Sequence, residues 1–271
     1  MYFALVISIL APLAWATPIV ALLAWVIFRK KSKPDLSPAN LRPLNLSLKK
    51  LLDSRIDYYH RLTPIEKKRF ESQIAGFLDY VRIEGVGTEI SDLDRVMIAS
   101  AAIIPIFGLG EWEYGNLTNV ILYPDTFDHE YQFEGNNRNI QGMVGSGYMN
   151  GQMILSRPSF EKGFSPMSGK ENTAIHEFVH LVDKSDGATD GVPENLVTHE
   201  YAIPWLKLMH QEMHRIEKGH SDINPYALTN EAEFLAVASE YFFEKPDEFK
   251  TRHPELYGQL SNIFRQKPAN G

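Results

Sequence analysis

The sequence predicts an α+β fold: a mostly helical domain with a small sheet, preceded by one N-terminal transmembrane helix. Three observations carry this. Several stretches place apolar residues at helical spacing behind N-cap signals, as at Thr63, Ser91 and Thr229–Asn230. Two short apolar runs, Asn119–Tyr123 and Gly151–Ser156, read as buried strands. Residues 1–28 carry no charged side chain, and the run from Leu5 to Phe28 exceeds the ~20 residues that cross a bilayer.

Taken in order, the first element is the membrane span. Arg29, Lys30, Lys31 and Lys33 follow it at once, which favours a cytoplasmic C-terminal side and an outward N-terminus. Tyr2 and Trp25 sit near its two ends, where aromatic rings favour the interface. Ala14-Trp15-Ala16 resembles a signal-peptide cleavage site, but no basic residue precedes the apolar run and the run continues past Ala16, so an uncleaved anchor is expected. Pro12 and Pro18 are tolerated kinks in such a helix. Residues 29–45 form a basic linker rich in proline (Pro34, Pro38, Pro43).

The globular part starts near Leu46. Thr63-Pro64-Ile65-Glu66 combines a cap, a proline at the first helical position and a capping-box glutamate, with Phe70, Ile74, Phe77 and Leu78 continuing the stripe. A second helix opens near Ser91 and stops at Gly108-Leu109-Gly110. The first strand, Asn119–Tyr123, ends at Pro124, and the second precedes a helix around residues 173–182. Residues 194–218 form a long helix kinked near Pro204. Another helix runs to Phe243, and a short one follows Pro246. No internal repeat is present.

Composition narrows the chemistry. The chain has 271 residues, 44% hydrophobic and 23% charged, enough for one sizeable core. A net charge of −7 argues against nucleic acid as a partner. The absence of cysteine excludes disulfides, thiol nucleophiles and cysteine-ligated metals. Histidine and carboxylate are left as the strong metal ligands.

His176-Glu177-Phe178-Val179-His180 uses them. Two histidines four apart share one helical face and can reach one zinc ion. Glu177, rotated by about 100° from His176, lies beside the open coordination position. The flanks Thr173, Ala174, Ile175, Leu181 and Val182 are uncharged, as a buried helix requires. The chain carries its own control in His210-Gln211-Glu212-Met213-His214. There the glutamate stands about 200° round from the first histidine and points away from the pair. His210 and His214 are therefore expected at the surface, behind a buried stripe of Trp205, Met209, Met213 and Ile216.

A hydrolytic zinc site needs a third ligand. Carboxylates embedded in the apolar helix Asn230–Glu240 are costly unless paired or ligated. Glu231 is expected in solvent. Glu233 and Glu240 share a face, and spacing leaves both as candidates with a slight preference for Glu233.

These segments resemble the Mlc titration factor A family of zinc-dependent peptidases (peptidase family M90) and, more distantly, the catalytic part of anthrax lethal factor. The resemblance rests on His176–Asp183, Gly191-Val192-Pro193, Asn224-Pro225-Tyr226-Ala227, and the run from Asn230 to Phe243, and it covers roughly residues 60–265. It implies a zincin-like domain over residues 46–268, one zinc ion held by His176, His180 and Glu233, and a catalytic role for Tyr226 beside Glu177. It also implies a peptide or protein substrate, with small aminopeptidase-type substrates as a hint, and a transcriptional regulator as a protein partner. Two departures stand out: Val237 replaces a glutamate of the lethal factor pattern, and the apolar anchor is absent from the soluble relatives.

The expected protein is thus a single-pass, membrane-anchored zinc peptidase with a cytoplasmic domain. The alternative is a regulatory binding protein of the same fold that sequesters a repressor. Asp183, on the face of the two ligands, is a candidate to orient a histidine. Strand Gly151–Ser156 is a candidate edge for substrate. His60, His129, His199, His220 and His253 are expected to be surface or packing residues.

Overall fold

The computed structural model describes residues 43–135, 138–166, 168–193 and 202–270. The apolar segment 1–28 and the basic stretch to residue 42 lie outside the described residues. Among those described, no helix is long and apolar enough to cross a membrane.

Helix α1 (Leu46–Arg55) starts at Asn45, whose side chain accepts from the Ser47 amide. A short α2 (Asp57–His60) leads to α3 (Pro64–Tyr80), which opens on the expected capping box: Thr63 and Glu66 satisfy each other's amides. The expected stripe faces the core at Phe70, Ile74, Phe77 and Leu78, whereas Ile65 in the first turn is exposed. Strand β1 (Arg82–Gly85) follows, then α4 (Asp92–Ile106), capped by the Ser91–Asp94 box. Helix α4 is buried along most of its length, and its alanines let neighbouring helices approach closely.

Strands β2 (Asn119–Tyr123), β3 (Gly142–Val144) and β4 (Gln152–Ser156) complete one sheet of order β1-β2-β4-β3. The first three in that order run parallel, and β3 is antiparallel to β4. Two of the four strands escape sequence reading. The first is four residues with two charged side chains, and the other has three residues beginning with glycine.

The placement of β4 corrects an expectation. It is paired on both sides, so its backbone groups are satisfied and cannot take up a peptide; the edge strands are β1 and β3, and β3 is the one beside β4. Alternation along the strands separates the sheet's faces. Val120, Leu122, Met153 and Leu155 join the main core with Val144. Ile121, Tyr123, Met143 and Ile154 face a smaller cluster around Phe127.

After α5 (Arg157–Gly163) comes α6 (Thr173–Asp183), the helix of the His-Glu-x-x-His motif. Helix α7 (Ala202–Glu217) follows, and Pro225–Leu228 form a 3-10 turn that hands over to α8 (Glu231–Glu244). Helices α9 (Pro246–Arg252) and α10 (Pro254–Phe264) close the chain. Helix α6 packs between α4 and α8. Phe178 and Val179 anchor it to the core, and Phe234, Phe242 and Phe243 anchor α8.

Candidate metal centre

Two caps set the position of α6 against α8. The Asn172 side chain accepts from the Ile175 amide at the start of α6, and its Nδ2 donates to Glu244 Oε1 at 2.9 Å. The Asn172 amide donates to Glu240. Helix α8 begins at Asn230, whose side chain accepts from the Glu233 amide. Near this start the loop after α6 passes so close that a Cβ on Gly191 would meet the Glu231 carbonyl oxygen at 2.4 Å, and its φ of 77° also calls for glycine.

This framework brings three ligand atoms together. His176 Nε2 stands 2.9 Å from Glu233 Oε2 and 3.1 Å from His180 Nε2, and His180 Nε2 stands 3.5 Å from Glu233 Oε2. Four ligands at 2.0–2.1 Å around a tetrahedral zinc have edges of about 3.3 Å, so this triangle has the dimensions of one tetrahedral face. His176, His180 and Glu233 are also the one group among the described residues whose donor atoms converge in this way.

The charge state agrees. Burial would push the His176 pKa down, but Glu233 and Glu240 on its two nitrogens lift it to about 10. Burial opposes ionisation of Glu233 as well, yet His176 and His180 hold it down to about 2. Such a cluster demands positive charge, and a divalent ion supplies more of it than a proton.

Glu240, left open by the sequence, does not join the triangle. Its Oε1 lies 2.7 Å from His176 Nδ1, so it fixes the ring's orientation from behind. Helical spacing made this legible, since Glu240 sits two turns after Glu233 on the same face. Asp183 does something different from its expected role. It is fully buried and accepts from the Gly191 amide at 2.9 Å, tying down the loop that crosses α8.

Glu177 is buried beside the triangle, and burial raises its pKa ahead of the opposing pull of His176 and His180. Strand β3 lies directly over it: a Cβ on Gly142 would stand 2.7 Å from Glu177 Oε1. No sequence signal marks Gly142, because the contact joins residues brought together only by the sheet. Tyr226, half exposed on the 3-10 turn, puts its ring centroid 6.1 Å from that of His176. Burial and then Glu233, Glu177 and Glu240 raise its pKa, so the phenol keeps its proton.

The decoy behaves as its geometry requires. His210 and His214 are exposed, and His210 pairs with Glu231 at the surface at 3.1 Å. Glu212 is buried on the opposite side of α7. His60, His129 and His220 are exposed, and His199 lies outside the described residues. His253 is buried in an ion network that sequence reading missed.

The sequence model of the glucose-regulated metallo-peptidase M90 family matches residues 29–265. The chain belongs to this family. An uncharacterized protein of Synechocystis sp. is 29% identical over 238 residues, covering 84% of this chain and 86% of the relative. Mlc titration factor A of Escherichia fergusonii is 32% identical over 232 residues, covering 79% and 84%. Mlc titration factor A of Klebsiella pneumoniae strain 342 is 29% identical over 221 residues, covering 76% and 82%. The family match spans all five candidate site residues: His176, Glu177, His180, Tyr226 and Glu233. An M90 metallo-peptidase implies a metal, and the triangle at α6 and α8 has the donor set and spacing to hold one.

Proposed function

We propose that this M90 family member is a zinc-dependent peptidase in which His176, His180 and Glu233 hold the ion and Glu177 is the general base. The observation that carries this reading is the ligand triangle with a buried carboxylate beside it on the same helix. Bound zinc supplies a Lewis acid that polarises the scissile carbonyl and acidifies the attacking water. Glu177, raised in pKa and screened from solvent, takes the proton of that water and delivers it to the leaving amine. The Tyr226 phenol donates a hydrogen bond to the carbonyl oxygen as negative charge develops there. Glu240 keeps His176 in the ligating orientation. The free edge of β3, with Gly142 over Glu177, supports binding of an extended peptide by strand addition.

The test is Glu177→Gln in a peptide-library cleavage assay, with zinc content measured in parallel. Cleavage should fall by about 10²–10⁴-fold, the usual contribution of a general base, with zinc retained. Undiminished cleavage by the variant would refute the mechanism.

A second reading follows from the relatives named Mlc titration factor A. In it the same domain binds a transcriptional regulator, and proteolysis is secondary. Glu177→Gln separates the two, since partner capture would survive the change and cleavage would not. We further propose, from the charge-free run 1–28 and the basic residues behind it, that the domain is tethered on the cytoplasmic face of a membrane. Release of the full-length chain from membranes by alkaline carbonate would overturn the tether.

A further inference from the structure

Tyr226 is 54% exposed, so packing does little to place its phenol. Its position depends on the backbone of the turn that carries it. That turn is short and locally capped: Asn224 Oδ1 accepts from the Tyr226 amide at 3.0 Å, and Thr229 Oγ1 donates to the Tyr226 carbonyl at 2.8 Å. Four residues before Tyr226 the chain is held far more firmly. Asp222 Oδ1 lies 2.7 Å from His253 Nε2, and Asp222 Oδ2 accepts from the Tyr241 hydroxyl at 2.9 Å. Lys170 Nζ donates to both the side chain and the carbonyl of Asp222, and Arg252 stands 3.3 Å from Oδ2. These partners come from the α5–α6 loop, from α8 and from the α9–α10 junction. His253 Nδ1 also stands 3.3 Å from Glu212 Oε1 on α7. Between this knot and Tyr226, Ile223 is buried and Asn224 Nδ2 donates to Glu171 at 3.0 Å.

We propose that Asp222 and His253 are positioning residues for Tyr226: the Asp222 knot fixes the segment Asp222–Pro225 and thereby holds the phenol beside His176. The proposal rests on the catalytic reading of Tyr226 given above, but the knot's mechanical part stands apart from it. Anchoring through four elements suits a group whose own side chain has little packing. A misplacement of about 1 Å at a reacting centre can cost about 10²-fold in rate.

The experiment uses the full-length, zinc-loaded chain with Asp222→Asn, His253→Ala, His253→Gln, Tyr241→Phe and Tyr226→Phe, and the double variant Asp222→Asn/Tyr226→Phe. Two readouts are taken: steady-state kinetics and amide hydrogen exchange by residue. Asp222→Asn should speed exchange at Tyr226, Ala227 and Thr229 by about tenfold or more while the central amides of α6 and α8 stay protected. It should lower kcat by up to about 10²-fold with KM and zinc content unchanged. Adding it to Tyr226→Phe should cost little more, since both act through one phenol. His253→Gln, which keeps a donor near the Nε2 position, should restore most of what His253→Ala loses. Tyr241→Phe removes a single bond to Asp222 and gives a milder form of the same pattern, so it serves if Asp222→Asn does not fold. Unchanged exchange in the 226–229 turn, or kinetic losses that multiply with Tyr226→Phe, would overturn the proposal. If exchange accelerates as expected but the wild-type protein cleaves no peptide, the peptidase reading fails and the positioning of Tyr226 stands.

Discussion

His176 and His253 are two buried histidines with the same immediate neighbours and different surroundings. Each has a carboxylate on both ring nitrogens: Glu233 and Glu240 on His176, Asp222 and Glu212 on His253. Around His253 the acids are answered by Lys170 and Arg252 on Asp222 and by Arg215 on Glu212. Around His176, among the described residues, no lysine or arginine pairs with Glu233 or Glu240, and a second imidazole points its nitrogen into the same space. The His253 centre is neutralised by its own chain; the His176 centre is not. A histidine between two acids is therefore not a metal site by itself. The deficit of positive charge and the converging second histidine make the difference.

The largest expected effect tests that deficit. Glu233→Ala opens one corner of the triangle and should leave the purified protein without stoichiometric zinc and without peptidase activity. Glu212→Ala, the matching removal at His253, should leave zinc content unchanged. Metal analysis of both variants after dialysis decides it, and zinc retained by Glu233→Ala would show that the ligand set is wrong.

Next comes the contact over Glu177. Gly142→Ala places a methyl 2.7 Å from Glu177 Oε1, closer than carbon and oxygen tolerate, so the carboxylate must swing aside. Peptidase activity should drop by about 10²-fold, as for other small displacements at a reacting centre, with zinc retained. Wild-type rates in this variant would mean that the Glu177 rotamer matters little. A smaller effect is expected for Glu240→Gln, which weakens the orienting contact behind His176. Zinc affinity, read by competition with a chromophoric chelator, should fall by about 10–100-fold.

How much of this was legible depended on how local each signal is. The His-Glu-x-x-His helix, the Glu233–Glu240 face, the capping box at Thr63 and the helix start near Ser91 are all encoded within one or two helical turns, so spacing alone reveals them. Strands β1 and β3 were not legible. Three or four residues with little alternation become strands only because β2 and β4 offer them partners. The same holds for Gly142 over Glu177 and for the Asp222 knot, in which Tyr241, His253 and Lys170 stand 19, 31 and 52 residues from Asp222. Asp183 shows the converse. Its register with the two histidines made it a candidate to orient one of them, but the hydrogen bond it makes is from the Gly191 amide to Oδ2.

The smallest effect sharpens the comparison from the other side, through pH. Burial would lower the His253 pKa, but Glu212 and Asp222 raise it above the ordinary 6.5. The folded-state value therefore exceeds the unfolded one, and the protonated ring stabilises the fold. That contribution is fully present below about pH 6.5 and is lost as pH rises through the raised value. Asp222 has the opposite dependence. Burial opposes its charge, but Lys170, His253 and Tyr241 hold its pKa well below 3.8, so its contribution persists until strongly acid pH. The facing charges are Glu212 and Arg215 on α7, Lys170 before α6, Tyr241 on α8, and Glu248 and Arg252 on α9. His253→Gln removes the titrating group while keeping a donor. The urea stability lost in this variant should be about 1.5–3 kcal/mol near pH 5.5, the range for hydrogen bonds to charged groups. It should shrink steadily as pH rises through the folded-state value. A loss independent of pH would mean that His253 is held as a neutral ring, and that the two histidine centres differ in more than their countercharges.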